Sequence, residues 1–321
     1  MELGAWRGEG VRVGQVLDAL AELRRGEQRT ATRTSVTNFV LVAGDHEEAD
    51  LGCTALHRLG GRHPGRTVVL VARPDAGPAG LDASVTLHGT VAEGHAVWSE
   101  DVRLEVRGEP AAHLDSLLEP LTLADLPVVV WFSGAPPSPA EPLLASADAV
   151  VVDTREGDVA ALAAVAALDR RCVVHDVAWI ALRPWRQLVA GLFDPAPARP
   201  LVAGVDRVEV RGEGTSPLLL GGWLASRLGL ACSAVELRPG PGAGVRLEAG
   251  AGGVRGSFSV ERVDGEAALR AVSSVDGAPP HEERLSLPDD PLGAAVGEAL
   301  TRVGRDRAHG QALRAALVFR P

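Results

Sequence analysis

Arg66 stands in His63-Pro64-Gly65-Arg66, at the start of an apolar, β-branched run, where a guanidinium could bind an acidic group. Ser133, in Ser133-Gly134-Ala135-Pro136-Pro137, and Asp153 each follow a further apolar run. Ligands of open α/β sheets gather beyond the carboxyl ends of the strands. Arg66, Ser133 and Asp153 therefore suggest a shared crevice for a phosphosugar or nucleotide, anchored by Arg66, although a tight turn also explains Pro64 and Gly65. A second group suits contact with another protein. Trp131 and Phe132 end one apolar run in a chain that is only 3% aromatic, so they are either core pillars or a contact surface. Asp176-Val177-Ala178-Trp179 and Trp185-Arg186 lie close together, and Trp and Arg are enriched among interface hot spots. Six positions apart on one helix, Trp179 and Trp185 point in different directions, one into the core and one toward a neighbour. Trp131, Trp179, Trp185 and Arg186 are thus the candidate partner-binding residues, with Trp223 facing inward.

Other chemistry is excluded by inventory. All 32 basic residues are arginine and there is no tyrosine. That removes the P-loop lysine, Schiff-base chemistry and a Tyr–Lys hydride-transfer pair. A dinucleotide fold wants GxGxxG after its first strand, but the chain offers Gly44-Asp45-His46-Glu47-Glu48. Acids there would repel a pyrophosphate and instead favour the helix dipole. The glycine-rich run 239–244 lies between two strands and reads as a hairpin turn. There is no GxSxG or HExxH, and His281-Glu282-Glu283 lacks a second histidine four residues on. Cys53, Cys172 and Cys232 are odd in number and far apart, so they suggest buried free thiols rather than a disulfide framework. No catalytic residue, metal or cofactor is expected.

The elements that must position these residues follow from periodicity. With 321 residues, 46% of them hydrophobic, two domains with ample cores are expected. A net charge of −10 argues against nucleic acid and against anionic membranes. No signal peptide and no apolar run of membrane-spanning length is seen, which predicts a cytoplasmic protein. One helical period falls within residues 1–29. Apolar runs at 39–43, 67–72, 126–132 and 149–153 read as strands covered on both faces. Alternating segments at 83–90 and 101–106 read as antiparallel strands. Helices are predicted over 46–59, 110–124, 158–171, 175–193, 216–228 and 291–303, with one more near 311–318. Residues 195–200, with three prolines, suggest a linker. Strands at 205–210, 234–237, 245–249, 254–262, 267–273 and 283–287 complete the pattern. The predicted fold is α/β: a doubly wound, Rossmann-like domain over 1–172, then an α+β domain over 173–321 with a mostly antiparallel sheet.

Five stretches stand in the order and spacing of the OpcA proteins. They are His63-Pro64-Gly65-Arg66-Thr67, Leu81-Asp82-Ala83, the run 120–131, the run 176–186, and Gly222-Trp223-Leu224-Ala225-Ser226-Arg227-Leu228. Over residues 32–320 the chain resembles that family of glucose-6-phosphate dehydrogenase assembly proteins, found in actinobacteria and cyanobacteria. It departs from the family at Phe132, where a second tryptophan is common, and in its loops near 240 and 264–290. The resemblance implies a regulator, not an enzyme, that binds glucose-6-phosphate dehydrogenase, favours its active oligomer and acts as an allosteric activator in the oxidative pentose phosphate pathway. It implies redox-linked activation in the cyanobacterial branch, which the cysteine placement here does not itself support. It carries over no catalytic residues.

Overall fold

The computed structural model describes residues 2–27, 36–59, 65–92, 95–302 and 304–319. His63, Pro64 and the Gly60-Gly61 pair lie outside them. The chain divides into two compact units. One comprises Met1–Val152, Arg171–Val174 and Leu300–Arg302; the other comprises Asp153–Arg170, His175–Ala299 and Val303–Pro321. Among the described residues no helix is long and apolar enough to cross a membrane.

The first unit is built on an eight-stranded mixed sheet. In chain order its elements are β1 (Glu2–Gly8), α1 (Val13–Glu27), β2 (Thr37–Ala43), α2 (His46–Leu59), β3 (Gly65–Arg73), β4 (Gly80–Ala92), β5 (His95–Arg107), α3 (Leu114–Leu118), β6 (Val128–Phe132) and β7 (Ala149–Val152). After α4 (Val159–Asp169) comes the edge strand β8 (Val173–Asp176), and the order across the sheet is β1-β4-β5-β3-β2-β6-β7-β8. Strands β5, β3, β2, β6 and β7 run parallel, while β4 pairs antiparallel with both β1 and β5. Both faces of the central strands are covered, so Phe39–Leu41, Val68–Val71 and Val150–Val152 are buried without a break. Strands β4 and β5 instead bury every second residue, Leu81, Ala83, Val85 and Leu87 against Val102, Leu104 and Val106. Asn38 is fully buried yet satisfied: its amide donates to the Leu123 and Leu126 carbonyls and accepts the Leu123 N–H.

The second unit holds α4 and a six-stranded mixed sheet. Its further elements are α5 (Val177–Ala181), α6 (Arg183–Gly191), β9 (Val205–Gly212), α7 (Ser216–Leu228), β10 (Val235–Pro239), β11 (Gly244–Ala251), β12 (Val254–Arg262), β13 (Ala268–Val275), β14 (His281–Ser286), α8 (Pro291–Thr301) and α9 (Arg307–Ala316). The order is β10-β9-β11-β12-β13-β14, with β9 and β10 parallel and the other pairs antiparallel. Helices α7 and α9 cross closely at Gly222, where a Cβ would collide with the Ala312 carbonyl.

The α/β class is as expected, but several elements differ from prediction. Strand β1 replaces part of the 1–29 segment, and Gly4 in it leaves room for Leu23 of α1, 2.9 Å from where a Cβ would sit. The 110–124 helix shrinks to α3 between two 3-10 turns, each with a proline as its second residue, Pro110 or Pro120. The single helix over 175–193 is instead strand end, α5 and α6. Pro184 lacks the N–H that would continue α5 and so opens α6 in its first turn. Residues 195–200 are no linker, because they fall inside the second unit and Ala198 is buried. The glycine-rich run 239–244 is not a hairpin turn: β10 and β11 both pair with β9, which lies between them.

Candidate functional site

The first unit has one position where an open sheet would place a ligand. Strand β2 lies between β3 and β6, so the strand order reverses there, and Gly44 and Ser133 follow the carboxyl ends of β2 and β6. Glu48 of α2 fills the spot. Its Oε2 accepts the Gly44 N–H at 2.9 Å and the Ser133 hydroxyl at 3.2 Å, while Asp45 Oδ1 accepts the Glu48 N–H at 2.9 Å. Asp45 caps α2 and Glu48 folds back onto the Gly44 amide just ahead of that cap, so the backbone amide at the strand end already holds a carboxylate.

Arg66 does not join Ser133. It pairs in register with Asn38, which pairs with Val128 at the start of β6, whereas Ser133 follows the end of that strand. Five residues at about 3.3 Å each put them roughly 16 Å apart along the sheet. Arg66 is 3% exposed and donates to Glu100 at 2.8 and 2.9 Å and to the Leu121 carbonyl. Glu100 also receives Arg24 at 2.6 Å. The guanidinium is committed to holding β3, β5 and the chain before β6 together. Asp153 belongs to the second unit and is paired with Arg155 at 2.7 Å. Arg66 and Ser133 therefore do not share a crevice.

Trp131 is 3% exposed and meets Phe39 edge-on, with ring centroids 6.3 Å apart. Its Nε1 has no acceptor among the described residues. It is a core pillar of the first sheet.

Trp179 of the 176–186 segment enters a polar network buried in the second unit. Asp176 ends β8 and caps α5: Oδ1 accepts Ala178 N–H at 3.0 Å and Thr154 N–H at 3.2 Å, and Oδ2 accepts the Thr154 hydroxyl at 2.7 Å. Thr215 donates to the Thr154 carbonyl at 2.8 Å, and His309 Nε2 lies 3.9 Å from Asp176 Oδ2. The Trp179 ring stacks on His309 at 5.4 Å, and the Arg186 guanidinium sits 3.5 Å from the Trp179 ring centroid. Arg186 also donates to the Trp179 carbonyl at 3.1 Å, and Trp179 Nε1 donates to Asp306 at 2.8 Å, the residue that caps α9. Burial pushes the Asp176 carboxyl from 3.8 up to about 7, against the pull of its three donors. Asp176, Thr154, Thr215 and His309 are all buried. Such a network can hold a proton, but it cannot meet a substrate.

Trp185 has a different setting. It is 9% exposed and lines a cavity of about 560 Å³ bounded by α5, α6, the start of α7, α8 and the ends of β9 and β12. Arg183 of α6, Arg211 of β9, Arg262 of β12 and Arg155 of the turn after β7 reach its lining.

Two family models match the chain. Residues 57–170 match the glucose-6-phosphate dehydrogenase subunit N-terminal domain, and residues 172–313 match the corresponding C-terminal domain. The chain belongs to the OpcA family. A protein of Synechocystis sp., OpcA, which carries the name of an OxPP cycle protein, is 26% identical over 175 residues. That stretch is 50% of this chain and 36% of the relative, so the match spans about a third of the relative's length. The break between the matched stretches falls after α4, a helix that the compact units assign to the second half.

Sequence reasoning had marked Trp185 and its neighbours but missed Thr154, Thr215, Asp306 and His309. None carries a local motif. The available signals were Asp158 and Asp306, each immediately ahead of an alanine-rich helix, where capping is expected.

Proposed function

We propose that this chain is a non-catalytic partner of glucose-6-phosphate dehydrogenase that binds the assembled enzyme and favours its active oligomer. The reading is carried by one observation: the two matched stretches, spanning both halves of the chain, are described as N- and C-terminal domains of a subunit of that enzyme. The name of the Synechocystis relative supports a place in the same cycle. The occupied switch point in the first sheet and the complete lack of lysine support a role outside catalysis. A protein that binds the assembled state more tightly than free subunits shifts assembly by its differential affinity. A surface of roughly 800 Å² per partner with a few aromatic and arginine anchors is enough.

Among the four anchor candidates, Trp131 and Trp179 are spent on the fold, and Arg186 is spent on Trp179. Trp185, on the cavity wall, keeps a contact role in this reading. The test is co-elution of the purified chain with its cognate dehydrogenase, with turnover measured on the same fractions. Co-elution with raised turnover supports the proposal; separate elution with unchanged turnover overturns it.

A further inference from the structure

Apart from Trp185 on its wall, the cavity of the second unit is not accounted for by the partner reading. Strand β9 runs into Gly212-Glu213-Gly214-Thr215 and then α7, and β10 returns parallel to β9. The cavity thus opens outside the carboxyl end of the first strand of a βαβ unit, the usual place for a ligand. Its volume, about 560 Å³, falls within the range of small-molecule sites, and Trp185 and Leu220 give it an apolar wall.

Its polar groups converge from separate parts of the chain. Arg183 comes from α6, Arg262 from the end of β12, and Glu298 from α8. Arg183 is held by Glu298 at 2.6 Å, whereas Arg262 has no ion pair among the described residues. The first turn of α7 also faces this space through Ser216 and Pro217. Thr215 stands at the N-cap but gives its hydroxyl to the Thr154 carbonyl, so no side chain caps the helix. Pro217 has no N–H, and the Ser216 and Leu218 amides have no protein acceptor among the described residues. Cations and uncapped amides suit an oxyanion. Glu213, Gln187 and Glu298 beside them suit hydroxyl groups.

We propose that this cavity binds a phosphorylated polyol of the size of a hexose monophosphate. The phosphate meets the first turn of α7 and the Arg183 and Arg262 guanidiniums, the hydroxyls meet Glu213, Gln187 and Glu298, and the apolar face of the sugar lies against Trp185. The proposal does not rest on the dehydrogenase reading, and its test contains no dehydrogenase.

The test is calorimetric titration of the full chain with four probes: a hexose monophosphate, inorganic phosphate, the unphosphorylated hexose and the corresponding uronic acid. The hexose monophosphate is expected to bind most tightly, inorganic phosphate and the uronic acid more weakly, and the free hexose not measurably. Ser216→Asp places a fixed carboxylate at the turn, so it is expected to keep or raise the melting temperature while abolishing hexose phosphate binding. Arg262→Gln is expected to weaken binding about tenfold, the loss of one charge-assisted contact. Absence of binding by every probe overturns the proposal. So does uronic acid or free hexose binding as tightly as the phosphate ester, or undiminished binding by both variants.

Discussion

Replacing Asp176 by asparagine tests the buried network most sharply, because the two residues are nearly isosteric and only one can ionise. Burial holds the folded carboxyl at about 7, against 3.8 for the free group. Between those values the folded state keeps a proton that the unfolded chain releases. Stability from this site is therefore complete below about 4, falls as pH rises through the window, and levels off above about 7. Three pH units at 1.36 kcal/mol each set a ceiling on the order of 4 kcal/mol for the loss in the wild type. Asparagine removes the ionisation and keeps an acceptor for the Thr154 and Ala178 amides. Its NH₂ faces the Thr154 hydroxyl, which can accept it and turn its own hydrogen toward Thr215 at 3.2 Å. In urea titrations of both proteins from about pH 5 to 8, the difference in unfolding free energy should grow in favour of Asp176→Asn as pH rises, by about 2 kcal/mol or more. Comparing the two proteins cancels the pH dependence of groups remote from position 176, so the difference reports Asp176 together with His309, 3.9 Å from it. Parallel stability curves across that range would refute a buried, proton-holding Asp176.

Three further outcomes follow from the packing. Arg66→Met should cost about 3 kcal/mol in urea unfolding, because it removes the buried guanidinium that donates twice to the Glu100 carboxylate; a change below about 1 kcal/mol would contradict the buried Arg66–Glu100 pair. Gly222→Ala should lower stability by about 2 kcal/mol despite alanine's better helix propensity, since its Cβ meets the α9 backbone, and a rise in melting temperature would mean that α7 and α9 do not approach so closely. Burial pushes the Cys53 thiol up to about 11, so its alkylation near neutral pH should be far slower than that of a free cysteine peptide, and an equal rate would count against the partly buried setting.

The strands around Leu41, Val69, Val130 and Val151 were legible because double-sided burial writes an unbroken apolar run, and β4 and β5 because single-sided burial writes an alternation. What escaped was set by distant contacts. Arg66 looked like an open anion anchor since its partner, Glu100, lies 34 positions away. The division of the 175–193 helix turned on Pro184 and on Asp176 acting as a cap, both of which a hydrophobic stripe conceals. Trp179 reads as an interface residue in the sequence because its partner Asp306 lies 127 positions on and the Arg186 guanidinium reaches its ring only through the fold. The cavity draws on residues from Arg155 to Glu298, so no window of sequence displays it.

The central claim is preferential binding to an assembled enzyme, and sedimentation velocity of the cognate dehydrogenase titrated with this chain tests it directly. A saturable shift of free dehydrogenase subunits into a larger complex containing this chain, with the midpoint of assembly moving to lower enzyme concentration, is the predicted result. An unchanged distribution of dehydrogenase species at saturating amounts of the chain would contradict the account.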